Sequence, residues 1–76
     1  MKMQIKEFAK FTGVSVRTLH YYEEIGLLRP AYVDRHSGYR FYDEKSLLRM
    51  QEILFYRELD FSLKSIHEIL SSPNYN

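Results

Sequence analysis

The sequence predicts a mainly α fold of four helices and one short two-stranded wing. Three observations carry this: apolar residues recur at helical spacing in four runs, capping residues and glycines bound those runs, and the stretch from Pro30 to Tyr42 is rich in aromatic and β-branched residues.

Ile5, Phe8, Ala9 and Thr12 follow the i, i+3, i+4, i+7 rhythm of a short amphipathic helix, which Gly13 stops. Ser15 is placed to cap a second helix that runs from Val16 to Ile25 with no glycine or proline before Gly26. A few residues around Gly13 and Val14 join the two, the glycine permitting positive φ and the valine plugging the corner. A helix-turn-helix has this build. Pro30 forbids further helix, and Tyr32-Val33 and Tyr39-Arg40-Phe41-Tyr42 flank Asp34-Arg35-His36-Ser37-Gly38 as a small hairpin expected to have a mobile tip. Asp43 caps a third helix from Glu44 to about Leu59. Its Leu47, Leu48, Met50, Ile53, Leu54 and Phe55 are expected to cover a broad apolar face, and Lys45, Arg49, Glu52 and Tyr56 to form its wet stripe. Ser62 caps a last helix whose Leu63, Ile66, Ile69 and Leu70 lie at core spacing, ending near Ser71. Residues 1–72 thus read as one winged helix-turn-helix domain and residues 73–76 as a frayed C-terminal end.

A chain of 76 residues holds one small domain that buries roughly 60 to 65% of its unfolded surface, so a catalytic cavity would compete with the core. With 45% hydrophobic and 28% charged residues it is a folding sequence, not a disordered tail. It contains no cysteine, which removes disulfides, thiol chemistry and cysteine-based zinc sites. No apolar run approaches the roughly 20 residues of a membrane span, and Met1 to Lys10 does not read as a secretion signal, so a cytoplasmic protein is expected. The net charge is only +1, but residues 1–40 carry seven basic side chains against four acidic ones, and residues 41–76 four against six. The first half is the one suited to an anion.

At about 100° per residue the second helix places Leu19 and Tyr22 on one side and Arg17, His20, Tyr21 and Glu24 on the other. Arginine, imidazole and phenol can all donate to guanine acceptors, phosphates or base edges, and the start of the second helix of a helix-turn-helix does such reading. Val16, Arg17, His20 and Tyr21 are therefore the base-edge candidates, with Thr18 within reach of a phosphate. A solvated helix face is the plain alternative, although such a face more typically carries Glu and Lys than His-Tyr-Tyr. In the hairpin, strand alternation sets Tyr39 and Phe41 on one face and Arg40 and Tyr42 on the other, so Arg40 can clamp a phosphate. Arg57, and the free amides after Ser62 with nearby Lys64, form a further phosphate candidate. For Arg57 an ion pair with Glu58 or Asp60 stands as the alternative.

Together these segments resemble the N-terminal DNA-binding domain of the MerR family of bacterial transcription regulators. The likeness is carried by Ile5-Lys6-Glu7-Phe8-Ala9-Lys10, by Thr12-Gly13-Val14-Ser15-Val16-Arg17-Thr18-Leu19-His20-Tyr21-Tyr22, and by Glu24-Ile25-Gly26-Leu27-Leu28-Arg29-Pro30. It continues in Gly38-Tyr39-Arg40-Phe41-Tyr42 and in Arg57-Glu58-Leu59-Asp60-Phe61-Ser62-Leu63. The resemblance implies a homodimer on an inverted repeat of double-stranded promoter DNA, acting on RNA polymerase indirectly by bending and untwisting the spacer between promoter elements. It also implies that Arg17, Thr18, His20 and Tyr21 enter the major groove while Tyr39, Arg40 and Arg57 hold the backbone. His20 stands where the family commonly has arginine, and Asp60 where it usually has glycine. The family's dimerising helix and effector module would follow the last residue, so a fragment that is monomeric or weakly associating is expected.

Two other classes compete. For an enzyme the best constellation is His20 with Glu24, aided by His36 or His67, which falls short of a ligand set, and neither catalysis nor a cofactor is expected. A winged-helix protein-interaction module would present Tyr21, Tyr32, Tyr39 and Tyr42 to another protein.

Overall fold

The computed structural model describes residues 1–73. In chain order it contains β1 (Met3–Gln4), α1 (Ile5–Thr12), α2 (Val16–Glu24), β2 (Tyr32–Val33), β3 (Arg40–Tyr42), α3 (Glu44–Glu58) and α4 (Leu63–Leu70). Three of the four helices begin where a side chain satisfies an otherwise orphaned amide. Ser15 accepts from the Thr18 N–H, Ser62 from the Ser65 N–H, and Asp43 from the Ser46 N–H, with the Ser46 hydroxyl returning to the Asp43 backbone as a capping box. Gly13, at φ 79°, closes α1 by donating its N–H to the Ala9 carbonyl, a left-handed conformation that a side chain would oppose.

The sheet departs from the expected two-stranded wing. Beyond the β2–β3 hairpin, β1 pairs antiparallel with β3, Met3 facing Tyr42 and Gln4 facing Phe41, so β3 is central in the order β1-β3-β2. The hairpin is thereby fastened to the start of α1. Its outer face stacks Tyr32 on Phe41 at 5.0 Å between centroids, with the Lys2 ammonium 4.6 Å and 5.1 Å from the two rings. On its inner face Tyr42 is fully buried and stacks on Phe8 at 4.4 Å, the planes 10° apart. Tyr42 is thus unavailable to the protein partner that the interaction-module alternative required.

The hairpin tip is a hydrogen-bonded turn. Asp34 Oδ1 accepts from the His36 and Ser37 amides at 2.8 and 2.9 Å, and Gly38 N–H returns to the Asp34 carbonyl at 2.9 Å. An aspartate hydrogen-bonding its own following backbone gives the turn a fixed shape.

Phe8, Leu19, Leu27, Tyr42, Met50, Ile53 and Ile66 are fully buried and join all four helices and β3 in one core. Each such aliphatic or phenyl side chain contributes about 1.5 to 3 kcal/mol by leaving water. The orientation of α3 corrects the expected face. Met50, Ile53 and half-buried Leu47 pack inward, but Leu48 and Phe55 remain 62% and 60% exposed and Leu54 is also exposed. Two supposed wet-stripe residues turn inward instead. Tyr56 packs against the core and Phe61, and Arg49 donates through Nε to the Leu27 carbonyl (3.1 Å) and through Nη1 to the Leu70 carbonyl (3.3 Å). Apolar residues encircle enough of α3 that its periodicity alone does not choose the buried side. Among the described residues no helix is long and apolar enough to cross a membrane, and no cluster of three or more His, Asp or Glu side chains could hold a metal ion.

Candidate nucleic-acid interface

The two faces of α2 separate as its sequence requires: Leu19 and Tyr22 are buried, whereas Arg17, His20, Tyr21 and Glu24 are exposed. Tyr21 shows 49% of its surface. Burial raises the Tyr22 hydroxyl pKa above its ordinary value, a shift that the positive field of Arg57 opposes, so Tyr22 remains a neutral donor between α2 and the end of α3. Val16 is half-buried and packed against the core, which leaves it part of a methyl surface to offer. The Thr18 hydroxyl accepts from Ser15 Oγ at 2.9 Å, while the Thr18 N–H donates to the same oxygen at 3.0 Å. That pair fixes the start of the helix and leaves the Thr18 hydroxyl proton to meet an acceptor.

Arg40 on β3 is held by Glu23 of α2, its Nε donating to Glu23 Oε1. This hydrogen bond, opposed by partial burial and reinforced by the Glu23 charge, holds the guanidinium in its charged form. The pair crosses from the reading helix to the hairpin and fixes their relative position. Tyr39 beside it is 56% exposed, with its amide donating to Ser37 Oγ at 3.1 Å. At the other end of the domain Arg57 forms neither suggested ion pair; its Nη1 donates to the Phe61 carbonyl at 2.9 Å, closing the turn between α3 and α4. Asp60 in that turn has φ 64°, the one left-handed non-glycine residue among those described. A glycine would occupy this conformation with less steric cost. Ser62 Oγ is occupied by the cap of α4, accepting from Ser65 N–H at 3.1 Å and donating to Ser65 Oγ at 3.0 Å, and the Ser62 carbonyl accepts from Ile66 N–H at 3.0 Å, so the first-turn amides of α4 rather than the Ser62 hydroxyl are what this end offers a ligand.

Two concavities flank the exposed side of α2. One, about 420 Å³, lies between Tyr21 of α2, Ile25 just after it, and Leu63, Lys64, His67 and Glu68 of α4. The other, about 280 Å³, lies between His20 of α2, Lys6 at the start of α1, and Gly38, Tyr39 and Arg40 of the hairpin. The fold therefore brings Tyr21 to Lys64 and His20 to Tyr39 and Arg40. Lys6 and Glu23 are not among the sequence candidates: Lys6 sits two residues beyond a strand that the sequence does not signal, and Glu23 acts through a partner 17 residues away.

A helical reading face between two wings, each bringing a cation, is the architecture of a winged helix-turn-helix. Residues 3–73 match the model of the MerR HTH family of regulatory proteins. The chain belongs to the MerR family. It is 46% identical over 76 residues to the HTH-type transcriptional activator mta of Bacillus subtilis, all of this chain and 29% of that protein. To the HTH-type transcriptional activator TipA of Streptomyces coelicolor it is 47% identical over 73 residues, 96% of this chain and 28% of that one. The crystal structure of MtaN, the N-terminal part of the Bacillus subtilis multidrug transporter activator, superposes with a TM-score of 0.90 at 44% identity, covering 97% of this chain and 69% of that chain. The EcmrR–DNA complex superposes with a TM-score of 0.89 at 39% identity, covering 97% and 28% of the respective chains. The chain spans less than a third of the length of these curated relatives. As a MerR-family head it is a DNA-binding domain of transcription regulation, and the relatives are named as regulators, not as enzymes.

Proposed function

We propose that this domain reads double-stranded promoter DNA through the exposed face of α2. Arg17, His20 and Tyr21, with the accessible edge of Val16, meet base edges in the major groove, and Thr18, Tyr39, Arg40, Arg57, Ser62 and Lys64 hold the sugar-phosphate backbone on either side. The observation that carries this is the placement of an exposed arginine, imidazole and phenol between two concavities that each contain a cation. Phosphate contacts fix position and base contacts specify sequence, and apart from Thr18 the backbone set comes from outside α2. In the intact regulator two such heads form a homodimer on an inverted repeat. They bend and untwist the promoter spacer, and RNA polymerase responds to the altered DNA; activation is the sense in which mta and TipA are named.

Fusing the domain to a dimerising coiled coil and selecting bound duplexes from a random pool tests the reading. An inverted repeat is expected, with affinity falling as salt rises by about 0.9 logarithmic units per phosphate contacted for each tenfold change. Dye pairs at the spacer ends should draw together on binding if the duplex bends. The protein-interaction alternative draws on the exposed Tyr21, Tyr32 and Tyr39, and it requires binding that salt barely alters and a pool with no enriched sequence.

A further inference from the structure

We propose that the notch between α1, α2 and the hairpin is a clamp for one DNA phosphodiester in which Lys6 supplies the net positive charge, an inference that rests on the DNA-binding function above. Besides Ile5 and Gly38 the notch is lined by five polar residues, Gln4, Lys6, His20, Tyr39 and Arg40, which come from β1, α1, α2 and the hairpin. Each can donate a hydrogen bond, and no acidic residue lines the notch. At about 280 Å³ it is smaller than the usual small-molecule site of about 300 to 1,000 Å³ but large enough for a tetrahedral phosphate and its ester oxygens. The rim is open at Gly38, where nothing lies within 4 Å of the point a Cβ would occupy. His20 places the notch against the reading face, so a duplex seated on α2 carries one strand past it.

Charge singles out Lys6. Arg40 is already paired with Glu23, so a phosphate approaching Arg40 alone meets a pair whose net charge is zero. The guanidinium Nε is committed to Glu23, which aims the terminal nitrogens and restricts them. Lys6 is exposed and forms none of the ion pairs found among the described residues. Its ammonium is the group that makes the notch an anion site, and its contact adds one released counterion per head.

The test uses the 76-residue chain and a mixed-sequence fluorescent duplex, because a backbone contact is indifferent to sequence. Anisotropy titrations between 50 and 200 mM salt give the steepness of the salt dependence. Lys6→Ala is expected to reduce it by about 0.9, so that the fourfold rise in salt costs the variant about 3.5-fold less affinity than it costs the parent. Lys6→Arg should keep the parental steepness, and Lys45→Ala, an exposed cation on a different concavity, should keep it too. A parental steepness in Lys6→Ala would overturn the clamp while leaving the DNA-binding function standing. A parent that binds no duplex, or binds with no salt dependence, would overturn both.

Discussion

Tyr42→Phe is expected to stabilise the domain and to remove most of its loss of stability at high pH. The Tyr42 hydroxyl is buried without a hydrogen-bond partner, while the ring stacks on Phe8 at 4.4 Å. A buried polar group left unpaired costs about 1 to 3 kcal/mol, so deleting only the oxygen should raise stability by about 1 kcal/mol or more and keep the stack. Burial, aided by the Glu23 charge and opposed by Arg40, pushes the Tyr42 pKa from 10.0 up to about 12. Between those values the unfolded chain releases the phenolic proton and the folded chain retains it. Folding therefore holds its full stability below pH 10 and loses it as pH rises towards 12, by about 1.4 kcal/mol per pH unit and about 2.7 kcal/mol over the interval. Urea unfolding followed by circular dichroism at pH 7, 10, 11 and 12 measures both effects. Tyr22 is raised in the same direction by burial, so Tyr22→Phe run in parallel separates its share from that of Tyr42. Parent and Tyr42→Phe stabilities that fall in parallel from pH 10 to 12 would refute the assignment of the buried phenol.

Four further outcomes are expected. Asp60→Gly should raise stability by about 0.5 to 1 kcal/mol in the same urea assay, because φ 64° is cheaper for glycine than for aspartate even after glycine's greater unfolded-state entropy. Ser15→Ala should cost about 1 kcal/mol by exposing the Thr18 amide at the start of α2. Arg17→Ala should lose about 1 to 3 kcal/mol on the selected site and relax base preference there, whereas Arg40→Ala should weaken all sequences alike; competition titrations on point-substituted duplexes distinguish the two. The single head should bind the selected site far more weakly than two tethered heads, whose second contact gains an effective concentration of order mM, and nanomolar binding by the monomer would contradict this.

Much of the fold was legible because its signals are local. Ser15, Asp43 and Ser62 each cap a helix within three residues, and Gly13 ends α1 by a conformation that its own lack of a side chain permits. The outward face of α2 followed from periodicity, since Leu19 and Tyr22 leave only one side able to join a core. Features joining distant segments were not legible. β1 is two residues long and exists only because β3 lies beside it, a partner 37 residues and more away in sequence; its own residues carry no strand pattern. The Glu23–Arg40 pair and the Arg49 contacts to Leu27 and Leu70 are likewise tertiary. The face of α3 was misjudged because Leu48, Phe55, Met50 and Ile53 lie around most of its circumference, and the neighbours, not the pattern, decide which are covered. The final residues, 74–76, lie outside the described part of the chain.

The arginines that are tied inside the domain bear on the proposed mechanics. Distorting a promoter spacer by 40 to 90° requires on the order of 1 to 6 kcal/mol, and a head can transmit that load only if its contacts do not shift relative to one another. Arg40 joins the hairpin to α2 through Glu23, Arg57 closes the turn into α4 on the Phe61 carbonyl, and Arg49 joins α3 to the segment after α2 and to the end of α4. Each replaces a contact that solvent would otherwise make with one that fixes two elements together. β1 does the same for the hairpin by fastening β3 to the start of α1. On this view Glu23 is a positioning residue: Glu23→Ala, which removes the acceptor of the Arg40 Nε hydrogen bond, should keep α2 folded and its base preference unchanged, yet reduce the bend that the tethered dimer imposes even though it frees the Arg40 charge for phosphate. Energy transfer between spacer-end dyes at saturating protein, set beside the dissociation constant, separates the two quantities. An unchanged bend with Glu23→Ala would mean that the hairpin is held by the sheet alone.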